Sequence, residues 1–255
     1  MKRLSKKERR QRVIVGELTA NASIRTSALA RTLGVSSETI RRDIEELTEQ
    51  GLVSRTYGGA TGAHLGLQPM FEERSAIEVN ERRRIVDIAA VMVPPGAVLM
   101  IDSGTTTTLF AQALSRLADR LTVITNSLGV VSALSMSSGV RIIVCPGDYS
   151  VRERGVYGPE TLSFLNKFNV DAAYIGASGL MMEGPVDVEM AACWVKRTMM
   201  ARSEKTVLLA SASKFGRNGL ELLSPWGHVD MLVTDKEPPE ALRRKLESEN
   251  VELRF

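Results

Sequence analysis

The chain has 255 residues, 44% of them hydrophobic and 25% charged, so it can bury a sizeable core. That length is too great for one small domain and short for three. Two widely separated cysteines, Cys145 and Cys193, predict neither a disulfide framework nor a zinc site, and they suit a reducing compartment. No apolar run approaches membrane-spanning length, and no apolar core follows the basic N-terminus. We therefore expect a soluble, cytoplasmic protein with no metal and no cofactor.

Charge is distributed unevenly along the chain. The formal net charge is +3, but residues 1–60 hold 12 Lys/Arg against 7 Asp/Glu, a balance of +5, and the remainder holds 21 against 23, a balance of −2. A small basic block ahead of a slightly acidic body is typical of nucleic-acid binding, although a solvated basic tail would give the same numbers.

Two short helices are predicted first. One runs from about Lys6 to Leu18, with apolar side chains on one face: Val13, Ile14 and Leu18. The other is "TSALARTLGV", in which Thr26 is placed to cap the N-terminus and Gly34 to end the helix. Its apolar stripe is formed by Leu29, Ala30 and Leu33.

A third helix, "SSETIRRDIEELTEQG", follows after a short gap. Ser36 is its predicted N-cap and Gly51 its end. The residues at spacings of four and seven face inward: Ile40, Ile44 and Leu47. Those left facing outward or sideways are Ser37, Glu38, Arg41, Arg42 and Glu45. Two helices joined this way form a helix-turn-helix, whose second helix enters the DNA major groove by its N-terminus.

The segment "LVSRTYGGA" alternates apolar and polar residues before a double glycine, which predicts a strand, a tight turn and hence a wing. Arginine suits guanine or phosphate, and serine and threonine suit phosphate or short base contacts. The alternative is a helical hairpin that binds protein or nothing. The residues predicted to contact DNA are Thr26, Ser36, Ser37, Thr39, Arg41, Arg42 and Arg55.

The stretch "VSSETIRRDIEELTEQGLVSRTYGGA" resembles the DNA-binding signature of the DeoR family of bacterial transcription regulators. That pattern is a Val-Ser-x-x-Thr-Ile-Arg-Arg-Asp helix, then a glycine and an Arg-x-x-Gly-Gly-Ala wing. The matching residues are Val35, Ser36, Thr39, Ile40, Arg41, Arg42, Asp43, Gly51, Arg55, Gly58, Gly59 and Ala60. The resemblance implies that Asp43 is a structural or surface partner of an arginine rather than a reader of bases.

After residue 60 the periodicity is lost, and Gly62, Gly66 and Pro69 predict a linker over 61–80. A helical stretch then runs up to Pro94-Pro95. From residue 96, apolar runs of strand length alternate with helical patterns at about 106–117, 127–135, 159–167, 188–203 and 238–249. This alternation predicts an α/β domain over 81–255 with a mostly parallel sheet. The first domain would span residues 1–60.

Ligands of such sheets bind beyond the carboxyl ends of the strands. The stretch "MIDSGTTTTLFAQAL" ends a strand in Asp102 and opens a helix rich in hydroxyl groups. A helix N-terminus offers free N–H groups and a partial positive charge, and Gly104 permits close approach, so this turn predicts a phosphate site. It lacks the Gly-Lys-Ser/Thr of the Walker pattern and the dinucleotide fingerprint. A well-capped turn that binds nothing is the alternative.

Lys214 in "SASKFGR" is a second candidate, because a lysine in a strand-end loop can pair with phosphate or hydroxyl groups. Glu189 and Lys196 are seven apart on one helix and could form a site pair, but we expect Lys196 on the surface. The remaining isolated aromatic and imidazole side chains are expected to pack or to be exposed in the linker, not to bind ligands: His64, Trp194, Trp226 and His228.

The body is similar to the sensor domain of the same family, so the resemblance extends from about Glu8 to Phe255. The matching segments are Glu81-Arg82-Arg83, Asp102 to Thr107, Thr125-Asn126, Gly176 with Gly179, and Ser213 to Gly216. The resemblance implies an architecture like that of ribose-5-phosphate isomerase and a repressor of a sugar or polyol catabolic operon, controlled by a phosphorylated sugar. The predicted effector-binding residues are Asp102, Ser103, Gly104, Thr105, Thr106, Thr107, Asn126, Gly147, Gly176 and Lys214.

Two positions depart from the family pattern. Pro146-Gly147 stands where the family has Gly-Gly, and Ser211 stands where it usually has an aspartate. Losing that carboxylate should change which hydroxyl groups of the ligand are recognised. Arg152 and Arg154 could add anion contacts, or none.

The competing hypotheses are an isomerase-like enzyme and a binding module that recruits partners without DNA. Isomerisation needs a carboxylate beside an acidic C–H and a second group on the carbonyl oxygen. The acid/base candidates show no tight cluster by spacing: Asp102, Asp148, Glu189 and Lys214. The recognition helix argues for a non-enzymatic regulator that binds double-stranded operator DNA as a dimer or tetramer.

Overall fold

The structure is a computed structural model that describes residues 5–20, 23–49, 53–56, 58–62, 70–117 and 120–255. The chain divides into two compact units, Met1–Leu67 and Gln68–Phe255. No helix in the described ranges is both long enough and apolar enough to cross a bilayer. Gly51, Leu52 and His64, which carry sequence-based expectations, lie outside the described residues.

The first unit is a three-helix fold with a small antiparallel sheet. Its helices are α1 (Lys6–Ala20), α2 (Thr26–Leu33) and α3 (Ser37–Glu49). Its strands are β1 (Ser23–Arg25), β2 (Val53–Thr56) and β3 (Gly59–Gly62), in the order β1-β3-β2. The winged helix-turn-helix prediction is confirmed, and β1 is a third strand that was not predicted.

The apolar periodicity of the first unit builds one core, formed by residues such as Ile14, Leu29 and Ile40. Gly34 ends α2 in the left-handed conformation, φ 62°, where a glycine costs least. Two details of the prediction were wrong. Val13 is 42% exposed, because α1 turns its Ile14 side to the core. Arg25 is the extended N-cap residue of α2, so the buried Thr26 is the first helical residue and not the cap.

The second unit is built around a seven-stranded sheet. The strands of that sheet are β4 (Val98–Ile101), β5 (Leu121–Thr125), β6 (Val140–Val144), β9 (Val170–Ile175), β12 (Ser203–Leu209), β14 (Met231–Val233) and β15 (Glu252–Arg254). They lie in the order β15-β14-β12-β9-β4-β5-β6, and every neighbouring pair is parallel. The prediction of an α/β fold with a mostly parallel sheet is confirmed.

Helices cover both faces of the sheet. The helices of this unit are α4 (Phe71–Ala76), α5 (Val79–Ala90), α6 (Thr105–Leu117), α7 (Leu128–Leu134), α8 (Pro159–Leu165), α9 (Met190–Ala201) and α10 (Glu240–Ser248). Phe110 and Val130, from α6 and α7, belong to one buried cluster. Leu165, Met199 and Leu246, from α8, α9 and α10, belong to the other. The inner strands β4, β5, β9, β12 and β14 are therefore largely buried, which explains their apolar runs, whereas the edge strands β6 and β15 are partly exposed.

Shorter strands complete the second unit. They are β7 (Asp148–Ser150) paired with β8 (Gly155–Tyr157), and β10 (Gly179–Leu180), β11 (Pro185–Asp187) and β13 (Glu221–Leu222) in a small antiparallel sheet. The range predicted as linker, 61–80, contains the end of β3, all of α4 and the start of α5.

Candidate nucleic-acid interface and ligand crevice

The N-terminus of α3 is capped as the sequence predicted. The Thr39 N–H donates to the Ser36 Oγ, 3.1 Å away, and the two hydroxyl oxygens lie 2.8 Å apart. This cap satisfies one of the free N–H groups of the first turn and fixes where the helix begins.

The two arginines of α3 that were predicted to contact DNA lie on its outward face. Arg41 and Arg42 are exposed, and each lies 3.7 Å from a carboxylate oxygen of Glu38. Exposed pairs of this length contribute little to stability and exchange readily with other anions. The other side chains predicted to face outward are also exposed: Ser37, Glu38 and Glu45.

Asp43, a buried acidic residue of α3, is engaged by α1. Its carboxylate accepts two hydrogen bonds from the guanidinium of Arg10, one of them at 3.0 Å from Nη2. The hydrogen bond and the charge of Asp43 raise the pKa of Arg10. Asp43 therefore fixes α3 on α1 and is unavailable to bases.

The wing is formed by β2 and β3, and it lies beside α2 and α3. Gly58 adopts φ +82° in the turn between β2 and β3. A Cβ on Gly59 would meet the carbonyl oxygen of Ile24 at 2.3 Å, so only glycine fits there. Arg55 is exposed and its Nη1 lies 3.1 Å from a Glu45 oxygen. Thr26 is buried and its N–H donates to the Gly58 carbonyl, which argues against a direct contact of this side chain with DNA.

In the second unit, the carboxyl ends of four adjacent strands, β5, β4, β9 and β12, meet at one edge of the sheet. This edge, here called the crevice, brings together most of the predicted effector-binding residues. Asn126 follows β5, Asp102 follows β4, Gly176 follows β9 and the 210–214 loop follows β12. The Gly176 N–H donates to the Asp102 carboxylate at 3.2 Å, which ties two of the strand ends together.

Lys196 occupies the interior of the crevice, and our expectation that it lies on the surface is wrong. Its side chain is 7% exposed. Its Nζ lies 2.5 Å from an Asp187 oxygen and 3.3 Å from an Asp102 oxygen. Ser178 also donates to Asp187, at 2.6 Å. Asp187 was not predicted from the sequence. It lies on β11, a three-residue strand that pairs with the short strands β10 and β13, and so short a strand has no pattern that the sequence reveals.

The charges of this group depend on one another. Burial raises the pKa of Asp102, and the Lys196 ammonium offsets only part of that rise. Burial would also raise the pKa of Asp187, but the charge and hydrogen bond of Lys196, together with hydrogen bonds from Ser178 and the Val188 N–H, outweigh it and lower the value. The pKa of Lys196 is raised, because its two carboxylates outweigh its burial. Asp102 Oδ1 is buried and has no hydrogen-bond partner among the described residues.

The segment from Asp102 to Thr107, between β4 and the first turn of α6, contains both buried structural residues and accessible ones. Thr107 is buried, and its hydroxyl donates to the Asp102 and Gly104 carbonyls at 3.0 and 3.1 Å. The Ser103 hydroxyl lies 2.6 Å from the Tyr157 hydroxyl. Three members are only partly buried, at the first turn of α6: Gly104, Thr105 and Thr106. These three could offer backbone N–H and hydroxyl groups to an anion.

The hairpin β7–β8 closes one side of the crevice. Contacts with its backbone explain why Asn126 and Gly147 occupy their positions, without any contact to an effector. Asn126 is buried and exchanges hydrogen bonds with the backbone of Val156, at 3.0 and 2.7 Å. Gly147 has φ +141°, and a Cβ there would lie 2.4 Å from the Tyr157 carbonyl. The Asn126 Oδ1 is buried without a hydrogen-bond partner in the part of the chain that the structure describes.

Arg152 and Arg154 lie on the loop between β7 and β8 and engage the protein itself. Arg154 pairs with Glu72 of α4 at 2.5 Å and lies over the ring of Phe71. Arg152 lies 3.8 Å from Glu153, which also pairs with Arg74 at 2.6 Å. These contacts fix α4 to the hairpin.

A cationic cluster surrounds the 211–214 loop. It consists of Arg74, Arg82, Lys214 and Arg217, with Glu78 among them. Burial and the neighbouring Arg217 lower the pKa of Lys214 to about 7, while Glu78 opposes the shift. Burial also lowers the pKa of Arg82 and of Arg217. The accumulated positive charge favours an anion at this end of the crevice.

Other residues singled out from the sequence lie elsewhere. Trp226 is fully buried and donates to the Met181 carbonyl at 2.9 Å, as expected for a packing residue. Trp194 is 54% exposed, so the expectation of packing is wrong there. Cys145 and Cys193 are both buried and unpaired. Two surface grooves of about 270 and 370 Å³ lie along α5 and α6, away from the crevice.

Comparison with known proteins identifies both units. Residues 10–64 match the DeoR-like helix-turn-helix domain, and residues 77–236 match the DeoR C terminal sensor domain.

Relatives match over most of their length. The chain is 31% identical to the glycerol-3-phosphate regulon repressor of Escherichia coli (strain K12), over 97% of this chain and 98% of the relative. It is 31% identical to the transcriptional repressor GlcR of Bacillus subtilis (strain 168), over 96% and 95% of the two chains. Ribose 5-phosphate isomerase A of Neisseria gonorrhoeae is 18% identical with a TM-score of 0.40, over 52% of each chain. Nothing about activity follows from that last likeness. The chain belongs to the DeoR family of transcription regulators.

Proposed function

We propose that this protein represses a sugar or polyol catabolic operon by binding its operator as a dimer or tetramer in the cytoplasm. The observation that carries the proposal is the outward face of α3, where Arg41 and Arg42 are exposed beside a Ser-capped N-terminus. Residues 1–60 would read DNA, and 81–255 would sense the effector together with the α4 segment, which lies inside the predicted linker 61–80. The names of the relatives, both repressors, support the sign of regulation.

The effector that fits the crevice is a phosphorylated sugar or polyol. The first turn of α6 at Thr105 and Thr106 offers N–H and hydroxyl donors to a phosphate, and Lys214 adds positive potential at the end of β12. The name of the Escherichia coli relative contains a phosphorylated polyol, which supports the same ligand class. We place Ser103, Thr107, Asn126 and Gly147 behind these contacts as supporting residues.

Release of the operator is explained by thermodynamic linkage between effector binding and operator binding. A ligand shifts the protein between arrangements only as far as it prefers one of them. If the preferred arrangement misplaces the paired recognition helices, operator affinity falls.

An enzymatic role is the weaker hypothesis. Of the four acid/base candidates, Asp102 is buried against Lys196, and Asp148 is exposed on β7. Glu189 is the N-cap residue of α9. Lys214 lies beside Arg217 at the end of β12. A proton-transfer reaction needs such groups free and within hydrogen-bond reach of one substrate, whereas the Asp102 carboxylate is engaged by Lys196 and the Gly176 N–H, which favours a sensor without turnover.

The test is operator binding by the purified full-length protein, using the DNA upstream of its own gene cluster and a panel of sugar and polyol phosphates. We expect specific binding that one phosphate ester weakens and its unphosphorylated parent does not. The variant Thr105→Ala with Thr106→Ala should bind operator and lose this response. Failure to bind the upstream DNA, or a normal response in the double variant, would contradict the corresponding half of the proposal.

A further inference from the structure

Glu78 stands at the entrance to α5 in an unusual backbone conformation. Its φ and ψ are 56° and 37°, in the left-handed region that residues with a Cβ rarely adopt. Such a conformation persists only where the surroundings fix it, and it concentrates at functional sites.

Two serine hydroxyls hold the Glu78 carboxylate at the end of β12. Ser211 Oγ donates to Glu78 Oε2 at 2.7 Å, and Ser213 also hydrogen-bonds to this carboxylate. A carboxylate can accept about four hydrogen bonds, so roughly half of its capacity remains. The side chain of Glu78 is only partly buried, which leaves that capacity open to a ligand.

The surroundings keep this carboxylate ionised. Burial would raise the pKa of Glu78, but the hydrogen bonds from Ser213 and Ser211, with the charges of Lys214 and Arg82, lower it below its usual value. An ionised carboxylate accepts hydrogen bonds and donates none, and its bonds are stronger than those of a neutral acceptor. Glu78 is therefore suited to bind hydroxyl groups.

We propose that Glu78 binds the hydroxyl groups of the effector and supplies the carboxylate that the family pattern carries at position 211. This inference rests on the proposed function, because it concerns the same crevice. β12 and β4 are separated by β9, so Ser211 lies two strand spacings, about 10 Å, from the α6 turn. A phosphorylated sugar or polyol spans that distance, with its phosphate at α6 and adjacent hydroxyl groups at Glu78.

The experiment compares full-length variants by calorimetric titration with sn-glycerol 3-phosphate, ribose 5-phosphate, fructose 6-phosphate and inorganic phosphate. The variants are Glu78→Gln, Glu78→Asn, and Glu78→Gln combined with Ser211→Asp. Asparagine tolerates the left-handed conformation, so Glu78→Asn guards against a loss caused by misfolding. Asp87→Asn is the control, because Asp87 is an exposed carboxylate on the same helix.

We expect the tightest polyol phosphate to bind at least about tenfold more weakly to both Glu78 variants, since a hydrogen bond to a charged group is lost. Inorganic phosphate should bind them no more weakly than it binds the wild type. The combination with Ser211→Asp should recover most of the loss, whereas Asp87→Asn should bind like the wild type.

Equal losses for inorganic phosphate and for the polyol phosphate would overturn the inference, because they indicate a structural role. A wild-type protein that binds inorganic phosphate, but binds none of the three esters more tightly than phosphate, would also overturn the inference. The phosphate site at α6 would still be supported. Absence of all binding would overturn the proposed effector class itself. If Ser211→Asp does not restore ester binding to the Glu78→Gln variant, then Glu78 does not replace the carboxylate that the family pattern carries at position 211.

Discussion

Lys196 holds one positive charge between two buried carboxylates, Asp102 and Asp187. Removing the ammonium leaves uncompensated negative charge where water is excluded, and breaking a buried pair from one side costs about 3–5 kcal/mol. We therefore expect Lys196→Met to lower the free energy of unfolding by that amount, measured by urea denaturation at pH 7. Lys205→Met is the matched control, because Lys205 makes a partly exposed pair with Glu252. It should change stability by no more than about 1 kcal/mol, and similar losses in the two variants would contradict the assignment.

Lys214 predicts a pH dependence of effector binding. With its pKa lowered to about 7 by burial and Arg217, the free protein loses this charge as pH rises from 7 to 9. The phosphate is already a dianion there, so its affinity for the protein should fall by up to about tenfold per pH unit. Lys214→Arg, which stays charged, should flatten the profile in a titration series.

Stability should move in the opposite direction. The unfolded chain binds more protons at Lys214 than the folded chain between pH 7 and the ordinary lysine value, so the contribution of Lys214 to stability rises with pH in that window. An effector affinity that stays constant from pH 7 to 9 in the wild type would remove Lys214 from the binding site.

The distinction between Thr105 and Thr107 shows what sequence reasoning can reach at the residue scale. The loop and its position at a strand end were predictable, because an apolar run and a helical pattern bracket it. Which hydroxyls turn inward was not predictable, since that depends on contacts with distant segments. Lys196 shows the same limit, because its partners come from β4 and β11.

At the scale of elements, α3 carries the operator prediction. We expect Arg41→Ala or Arg42→Ala to weaken operator binding by about 1–3 kcal/mol, measured by fluorescence anisotropy. The salt dependence separates the two roles, because losing a phosphate contact lowers the slope of log affinity against log salt by about one. Arg244→Ala, an exposed arginine of α10, is the control. Undiminished binding in both α3 variants would refute the placement of this helix on DNA.

The wing depends on Gly59, which pairs with both β1 and β2. Because an added Cβ would meet the Ile24 carbonyl at 2.3 Å, Gly59→Ala should destabilise the first unit by about 1–3 kcal/mol. Gly16→Ala is the control, since nothing lies within 4 Å of a Cβ there and α1 should gain about 0.5–1 kcal/mol. Thermal unfolding measures both, and a Gly59→Ala protein as stable as the wild type would contradict the close approach.

Strands that are buried on both faces of the sheet could be predicted from the sequence. Very short strands, which depend on pairing with distant segments, could not. β9 and β12 were predictable because each contains a buried apolar run, at 172–175 and 207–209. β1, with three residues, and β10, with two, have no such pattern and exist through their partners. The hairpin β7–β8, which closes the crevice, was missed for the same reason.

At the scale of the whole molecule, regulation requires that operator and effector influence each other equally. If an effector weakens operator binding by some factor, saturating operator must weaken effector binding by that same factor, typically about 5–150-fold. We expect calorimetric titration of the effector, with and without a saturating operator duplex, to give a ratio of affinities equal to the ratio from operator binding. A duplex of scrambled sequence at the same salt concentration controls for non-specific charge neutralisation. Equal effector affinity with and without operator would mean that the crevice and the recognition helix are not linked. The ester would then not control operator binding, because a ligand without differential affinity shifts no equilibrium.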